Sequence, residues 1–204
     1  MMSRCVNTRT QQRKQTVGRW EPDAVGRLRA AALELFAERG YEQTTVADIA
    51  ERAGLTARTF FRHFPDKKEV LFQGSDGLRQ AMVDALLAAP AGAGAMNAVA
   101  AALQAAAAYF GDIRAFARRR SEVIAANAVL RERELSKLAA LAQALEQALR
   151  QRGIDATDAR LAAQTASLVF RMSFEQWVAP RERRGLDAIA QELLRRLGGL
   201  SAAR

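Results

Sequence analysis

The sequence contains one cysteine and one histidine among 204 residues, and only 6% of its residues are aromatic. A single cysteine excludes an intramolecular disulfide and is typical of a chain that works in a reducing, cytoplasmic compartment. With His63 as the only imidazole, a metal site or a histidine-based catalytic dyad would have to be built from one ring and carboxylates. We also find no nucleophile paired with a base and no glycine-rich phosphate loop. We therefore expect no metal, no cofactor and no enzymatic activity.

Long hydrophobic runs are missing as well. No segment reaches the roughly 18 uncharged apolar residues that a membrane span requires, so we expect no membrane partner. The first 20 residues lack the apolar stretch of a signal peptide, and they carry five basic side chains before Glu21, the first acidic residue. Residues 1–20 are therefore predicted to form a basic, flexible tail.

Apolar residues are plentiful and consist mainly of alanine, leucine and valine. They make up 50% of the sequence, which is enough for a buried core. Runs of β-branched residues are scarce, and this composition predicts an all-α fold. The net charge of +9 favours a polyanionic partner, but the charge is spread along the whole chain and does not locate a binding site.

Capping residues mark the first two predicted helices. The first is expected to begin near Asp23 and to end at Arg39, with Gly40 as a left-handed C-terminal cap. The second follows Thr45 and ends at Gly54. Apolar residues at helical spacing give each of these helices one buried face.

A short third helix is predicted over residues 57–64, with Thr56 as its N-cap. A helix of two turns is unstable alone, so it has to dock against its neighbours. On a helical wheel Phe60 lies on the docking side, whereas Arg58 and Arg62 lie on the opposite side. One face is thus expected to be buried and the other to be free and cationic.

The rest of the sequence is also helical in pattern. A fourth helix is expected to begin after Asp66 as its cap and to continue through Leu86, with bends at Gly74 and Gly77. Further helices are predicted over residues 95–110, 113–127, 128–152, 155–178 and 185–198.

Two short helices around a glycine, the second exposing Arg and Thr near its start, form the arrangement that places a helix in the DNA major groove. This helix-turn-helix is expected at about residues 45–64. Gly54 is needed because the turn requires a positive φ or a close backbone approach. The alternative is an ordinary helical hairpin with solvated charges.

Residues 28–72 resemble the N-terminal DNA-binding domain of the TetR family of bacterial repressors. The matching positions are Leu35, Phe36, Gly40, Thr44, Thr45, Val46, Ile49, Ala50, Ala53, Gly54, Thr59, Phe60, His63, Phe64 and Lys67. The resemblance implies a helix-turn-helix domain over residues 21–72 and a helical domain for ligand binding and dimerisation over residues 73–204. It also implies a homodimer that binds a palindromic double-stranded DNA operator and is released by a small, largely apolar effector. The alternative function is that of an architectural DNA-binding protein without an effector.

The resemblance also implies the residues that contact DNA. In the family, some positions touch phosphate or cap helices, and here they are occupied by Thr45, Thr56, Thr59, His63 and Lys67. The residues at or beside the family's base-reading positions are Ala57, Arg58, Phe61 and Arg62. Arg58 stands where a small residue is frequent, and Phe61 stands where a tyrosine often binds phosphate. Phe61 is therefore expected either to contact a thymine methyl group or to pack, and His63 either to bind phosphate or to be structural. In this context the tail over residues 1–20 is either a solvated leader or an arm that enters the minor groove.

Two further sites are expected in the C-terminal domain. The candidate ligand pocket consists of Leu103, Tyr109, Phe110, Phe116, Phe170, Phe174 and Trp177, for which plain core packing is the alternative. The candidate dimer interface lies on the last two helices and consists of Leu161, Leu168, Ile189, Leu193 and Leu197. The run Arg118–Arg120 is expected either to meet an anionic ligand group or to be solvated.

Overall fold

The computed structural model describes residues 24–202, and this part of the chain is all-α, as predicted. The helices are α1 (Ala24–Arg39), α2 (Val46–Arg52), α3 (Ala57–His63), α4 (Ser75–Ala88), α5 (Ala95–Phe110), α6 (Arg114–Ala125), α7 (Ala128–Gln151), α8 (Ala156–Trp177) and α9 (Leu186–Ala202), with one 3₁₀ segment at Lys68–Leu71. The predicted cap at Asp23 and the predicted basic tail lie outside the described residues. None of the helices in residues 24–202 is long and apolar enough to cross a membrane.

The first three helices enclose a small core of their own. Leu28 and Leu35 of α1, Ile49 of α2 and Phe60 of α3 are almost completely buried in it. The core also takes in side chains from far along the sequence, because three residues of α6 and α7 pack into the same cluster. These residues are Val123, Ile124 and Leu130. The N-terminal helices therefore rest directly on the larger part of the molecule.

The predicted continuous fourth helix is wrong, because the chain breaks at Gly74. The Asp66 carboxylate accepts hydrogen bonds from the backbone N–H groups of Lys68 (3.0 Å) and Glu69 (3.1 Å). It therefore caps only the 3₁₀ segment. Gly74 then adopts φ +94°, a left-handed conformation that interrupts a helix, and α4 begins at Ser75. Glycine was expected to bend this helix, but here it separates two elements.

A second, larger core joins α4, α5, α7, α8 and α9. Small side chains make up much of the buried surface of α5 and α8. The buried alanines are Ala98, Ala102 and Ala106 of α5 and Ala159, Ala162, Ala163 and Ala166 of α8. Long helices α7 and α8 follow one another after a short turn and pack side by side, and the Ser167 hydroxyl donates to the Leu138 carbonyl (3.4 Å).

Arg120 links the two cores. Its Nε donates to the Leu71 carbonyl (2.7 Å), its Nη1 pairs with Glu134 (3.0 Å), and its guanidinium lies 5.0 Å from the centre of the Phe72 ring. Burial lowers the pKa of the Arg120 guanidinium, and the Glu134 carboxylate acts in the opposite direction. The result is a largely buried cation that holds α6 against the end of the 3₁₀ segment.

A second set of ion pairs crosses the same junction. The Glu69 carboxylate, at the 3₁₀ segment, pairs with Arg133 and Lys137 of α7. Arg133 and Lys137 lie one helical turn apart on α7, so the Glu69 carboxylate contacts two successive turns of that helix. Together with Arg120, these contacts fix the N-terminal domain to α6 and α7.

Arg118 has neither of the two roles expected for the arginine run. It donates from Nε to the Val178 carbonyl (2.6 Å) and from Nη2 to the Ala179 carbonyl (3.1 Å). These carbonyls lie at the end of α8, where intrahelical partners are missing. Arg118 and Arg120 therefore satisfy backbone groups at helix ends, and of the three arginines only Arg119 is exposed.

Candidate nucleic-acid interface

The start of α2 is held by a reciprocal pair of hydrogen bonds between Thr45 and Asp48. The Thr45 hydroxyl oxygen accepts from the Asp48 N–H (3.1 Å), while the Asp48 carboxylate accepts from the Thr45 N–H (2.8 Å) and hydroxyl (2.7 Å). These two residues form a capping box. The hydrogen bonds from the Thr45 hydroxyl and then its backbone N–H lower the pKa of the Asp48 carboxyl.

The turn between α2 and α3 is centred on Gly54, whose φ is +66°, so the predicted need for a positive φ is confirmed. The Gly54 N–H donates to the Glu51 carbonyl (2.9 Å), and the Leu55 N–H donates to the Ala50 carbonyl (2.8 Å). These bonds satisfy the last carbonyls of α2 and reverse the chain within a few residues. Helix α3 consequently starts at a fixed angle to α2.

Helix α3 is fixed at its start and along one face. The Thr56 hydroxyl oxygen accepts from the Thr59 N–H (3.2 Å), which confirms Thr56 as the N-cap. Phe60 is fully buried and Phe64, just beyond the helix, is nearly so, and their rings lie 5.1 Å apart. The docking face is therefore the one predicted from the helical wheel, and the helix ends at His63, one residue earlier than predicted.

The opposite face of α3 lies open. The exposed residues are Ala57, Arg58, Phe61, Arg62 and His63. Phe61 is 57% exposed, and the His63 ring nitrogen lies 3.4 Å from an Arg62 guanidinium nitrogen. The face thus offers two guanidinium groups, an imidazole and an exposed aromatic ring. Among the candidate DNA-binding residues, the exposed Thr45 and Thr56 stand at the starts of α2 and α3, and Thr59 is half-buried.

Lys67 is set apart from this face by its contacts. Its ammonium group donates to the carbonyls of Tyr41 (2.7 Å) and Thr44 (2.9 Å) and lies 4.1 Å from the centre of the Tyr41 ring. In this arrangement the lysine holds the turn between α1 and α2. The buried Thr44 hydroxyl closes the same turn by donating to the Gly40 carbonyl (2.9 Å). The sequence pattern does not predict the two Lys67 contacts, because they join residues that lie 26 and 23 positions apart.

Arg52 is a second stabilising residue that the sequence analysis missed. It is the last residue of α2, and its two terminal nitrogens bind the two Glu38 carboxylate oxygens of α1 (3.2 and 3.1 Å). Glu34, one turn earlier on α1, lies at 3.4 Å. The paired geometry is the favoured one for an arginine with a carboxylate. Arg52 therefore fixes α2 to α1, while the arginines of α3 stay exposed.

The candidate ligand residues form a packed aromatic cluster. Phe110, Phe170, Phe174 and Trp177 have ring centres 5.2 to 6.2 Å apart, and Leu103 is buried in the main core nearby. Tyr109 is half-exposed, and its hydroxyl donates to the Gly74 carbonyl at the start of α4 (2.9 Å). The aromatic rings thus fill the space between α5 and α8.

Phe116 does not belong to this group. It packs against the core of the N-terminal domain, where the Arg29 guanidinium lies 4.9 Å from the centre of its ring. Its expected place in a ligand pocket is therefore wrong. The Phe116 side chain of α6 faces α1, whereas the aromatic cluster lies on α5 and α8.

Two open clefts lie among the helices of the larger domain, and one of them adjoins the aromatic cluster. One, of about 530 Å³, runs between α5 and α9 and is lined by Met96, Asn97, Ala100, Gln191, Leu194, Arg195, Leu197 and Gly198. The other, of about 380 Å³, lies at the end of α5, where Arg114 and Trp177 form part of its wall. Only Trp177 and Leu197 belong to the residues predicted for a ligand or dimer site.

The candidate dimer residues divide into exposed and buried ones. Leu161 is 63% exposed and Leu168 is 45% exposed, so α8 carries an open apolar face. Leu193 and Leu197 of α9 are half-buried. Ile189 is fully buried within its own chain and offers no surface to a partner, so its predicted place in the seam is wrong.

Helix α3 is exposed, is capped at its start, follows a tight turn and rests on two supporting helices. This arrangement is that of a helix-turn-helix domain, which is joined here to a larger helical domain. Residues 28–73 match the model of the family described as "Bacterial regulatory proteins, tetR family". Over these residues the chain is therefore similar to regulators of the TetR family.

Similar proteins extend this finding. The HTH-type transcriptional regulator TcmR of Streptomyces glaucescens is 45% identical over 74 residues, which are 36% of this chain and 33% of that protein. The HTH-type transcriptional repressor KstR2 of Mycobacterium tuberculosis is 40% identical over 63 residues, or 31% of this chain and 30% of that protein. The matched segments thus span about a third of each relative.

A solved structure matches over a much larger part of the chain. The transcriptional regulator FadR of Bacillus subtilis, in complex with stearoyl-CoA, has a TM-score of 0.58 and 23% identity, and the match covers 84% of this chain and 96% of that one. At this level of identity the similarity establishes the fold. Both the N-terminal domain and the larger helical domain are included in it.

Proposed function

We propose that this protein is a transcriptional regulator that binds a palindromic DNA operator as a homodimer and represses until a small molecule releases it. The observation that carries the proposal is the open outer face of α3, where Arg58 and Arg62 are exposed while Phe60 anchors the opposite side. TcmR and KstR2, which share this domain, are both described as HTH-type transcriptional regulators.

Base reading is assigned to the two arginines. Helix α3 has 7 residues and is about 10 Å long. An α-helix with its side chains is about 10–12 Å in diameter, so it fits a major groove that is about 12 Å wide. Each guanidinium can donate two hydrogen bonds to guanine O6 and N7, which favours guanine by about 1–3 kcal/mol per good pair. Ala57 and Phe61 lie beside them.

Phosphate contacts are assigned to the residues around the helix starts. Thr45 and Thr56 cap α2 and α3, so their hydroxyls lie next to the helix N-termini, which attract anions. His63 and Thr59 complete this set. Lys67 has a proton left after its two carbonyl contacts, so it can reach a phosphate while it holds the turn.

Dimerisation is assigned to the exposed apolar face of α8. Leu161, Leu168 and Met172 follow at intervals of seven and four residues, which places them on one side of the helix, and all three are exposed. Leu193 and Leu197 of α9, which are half-buried, are assigned to the same interface. A second copy of the chain would cover it and supply the second reading helix that a palindromic site requires.

The effector is assigned to the second domain, between α5 and α8 or in the cleft between α5 and α9. A ligand that separates Phe110 from Phe174 would displace the end of α5. Tyr109, the neighbour of Phe110, binds the Gly74 carbonyl at the start of α4, so this displacement would reach the connection to the N-terminal domain. A ligand that favours the displaced state would shift the population away from the spacing that fits DNA.

One observation favours a second function, that of an architectural DNA-binding protein without an effector. The aromatic side chains expected to line a ligand pocket pack against each other instead. Such a protein would bind many sequences with similar affinity, and its binding would depend on salt but not on a ligand.

Selection of bound DNA from a random library decides between these functions. The proposal predicts an inverted repeat whose half-sites have centres about one helical turn apart, or a multiple of it. Recovery of unrelated sequences would reject sequence-specific regulation and favour the architectural function. The selected DNA then serves in a release assay with small molecules, beginning with stearoyl-CoA because the similar FadR fold was solved with it.

A further inference from the structure

The outer face of α3 contains two apolar side chains at positions that DNA would cover. Ala57 and Phe61 are four residues apart, so their side chains lie on the same side of the helix. Both are exposed, and Phe61 leaves 57% of its surface open. Arg58 directly follows Ala57, so its side chain is rotated from that of Ala57 by about 100° around the helix axis. An apolar patch therefore borders a guanidinium group.

The Phe61 ring rests against the ring of its neighbour Phe60. Phe61 meets the ring of Phe60 edge to face, with centres 5.6 Å apart and planes at 82°. Phe60 is fully buried, so it provides a rigid support. An aromatic side chain with few rotatable bonds that is supported in this way loses little entropy when it binds. Phe61 has no hydrogen-bonding group, so it cannot bind phosphate.

The major groove offers one apolar group to such a patch, which is the 5-methyl group of thymine. Alanine and phenylalanine are both among the side chains that contact it. Resting on the proposed function, we infer that Ala57 and Phe61 form a contact surface for a thymine methyl group beside the guanine that Arg58 binds. Phe61 is then a specificity-determining residue, and the half-site contains a T next to a G.

The test compares DNA molecules that differ by this methyl group alone. The operator recovered by selection is synthesised with deoxyuridine in place of the thymine beside the conserved guanine, first in one half-site and then in both. Loss of one buried methyl group weakens binding by about fourfold, and loss of two by about sixteenfold. In a second pair of molecules, cytosine and 5-methylcytosine replace that thymine, and the methylated form is expected to bind about fourfold more tightly.

Two variants assign the methyl effect to a residue. Phe61→Ala is expected to bind the thymine and deoxyuridine operators almost equally. Arg62→Ala, the matched control on the same face, is expected to bind both more weakly but to keep the ratio between them. The wild-type comparison decides the matter even if the Phe61 variant does not fold.

The outcomes separate this inference from the proposed function. Equal binding of thymine and deoxyuridine operators by the wild-type protein, or a selected half-site without thymine beside guanine, overturns the role of Phe61 while the regulator function stands. A protein that selects no sequence overturns the proposed function, and the role of Phe61 with it. A ratio that persists in Phe61→Ala assigns the methyl contact elsewhere and also contradicts the inference.

Discussion

The rings of Phe60 and Phe61 pack edge to face with their centres 5.6 Å apart, yet one ring lies in the protein core and the other in solvent. Phe60 is fully buried in the N-terminal core, and Phe61 is 57% exposed on the outer face of α3. Because neighbouring residues on a helix point about 100° apart, one short helix can place one ring in the core and the other in solvent. The pair thus separates the anchoring of α3 from its contact surface.

This pair makes a direct prediction for stability. Phe60→Ala should lower the free energy of unfolding by about 3–5 kcal/mol, because it removes a buried ring and leaves a cavity. Phe61→Ala should change it by less than about 1 kcal/mol, because the ring is largely exposed. Urea denaturation followed by circular dichroism measures both values. Similar losses for the two variants would contradict the assigned docking face.

The capping box predicts a pH dependence. Bonding to Thr45 lowers the pKa of Asp48, so the folded state binds this proton less readily than the unfolded state. The stabilisation is complete above the ordinary aspartate pKa of about 4 and is lost as the pH falls through the lower folded value. Wild type should therefore be more stable than Asp48→Asn at pH 7, and the difference should shrink toward pH 3. A constant difference over this range in denaturation experiments would exclude the capping role.

Arg120 is predicted to stabilise the junction between the two cores. Arg120→Met should lower the free energy of unfolding by about 2 kcal/mol or more, because the Leu71 carbonyl and the Glu134 carboxylate both lose a charged donor. The matched control is the exposed neighbour Arg119→Met, for which a change within about 0.5 kcal/mol is expected. A double-mutant cycle with Glu134→Gln should show coupling. Independent effects of the two substitutions would mean that the ion pair has no energetic role.

The exposed face of α8 predicts the oligomeric state. Wild type should be a dimer at micromolar concentration in light-scattering measurements, and Leu161→Glu with Leu168→Glu should yield a folded monomer, because charges would be buried in an apolar interface. Leu87→Glu, at an exposed leucine of α4, is the control and should remain dimeric. A monomeric wild-type protein would contradict the proposed interface.

Local signals in the sequence were sufficient to predict the candidate interface. Thr56 as N-cap and Gly54 with positive φ act over a few residues, and both predictions are confirmed. The spacing of Phe60 and Phe64 likewise identified the buried face of α3. Each of these effects depends on neighbours within one or two helical turns, so the sequence alone contains the information.

Contacts between distant segments could not be predicted in this way. The role of Arg120 depends on the Leu71 carbonyl, 49 residues away, and that of Lys67 on the Tyr41 carbonyl, 26 residues away. Phe116 and Ile189 have the apolar character expected of a pocket or an interface, but their direction is set by how whole helices pack. Composition identifies such residues as apolar and leaves open which core they enter.

Binding of the selected operator by the double variant Arg58→Ala, Arg62→Ala is the most direct test of the account. The measurement is the ratio of dissociation constants for the selected operator and a shuffled sequence, with Arg150→Ala, an exposed arginine in the last turn of α7, as the control. The account predicts that the double variant loses at least about 30-fold of this discrimination, since each guanine contact contributes about 1 kcal/mol or more, while the control keeps it. A double variant that remains folded and dimeric and discriminates as well as wild type would contradict the assignment of α3 as the reading helix.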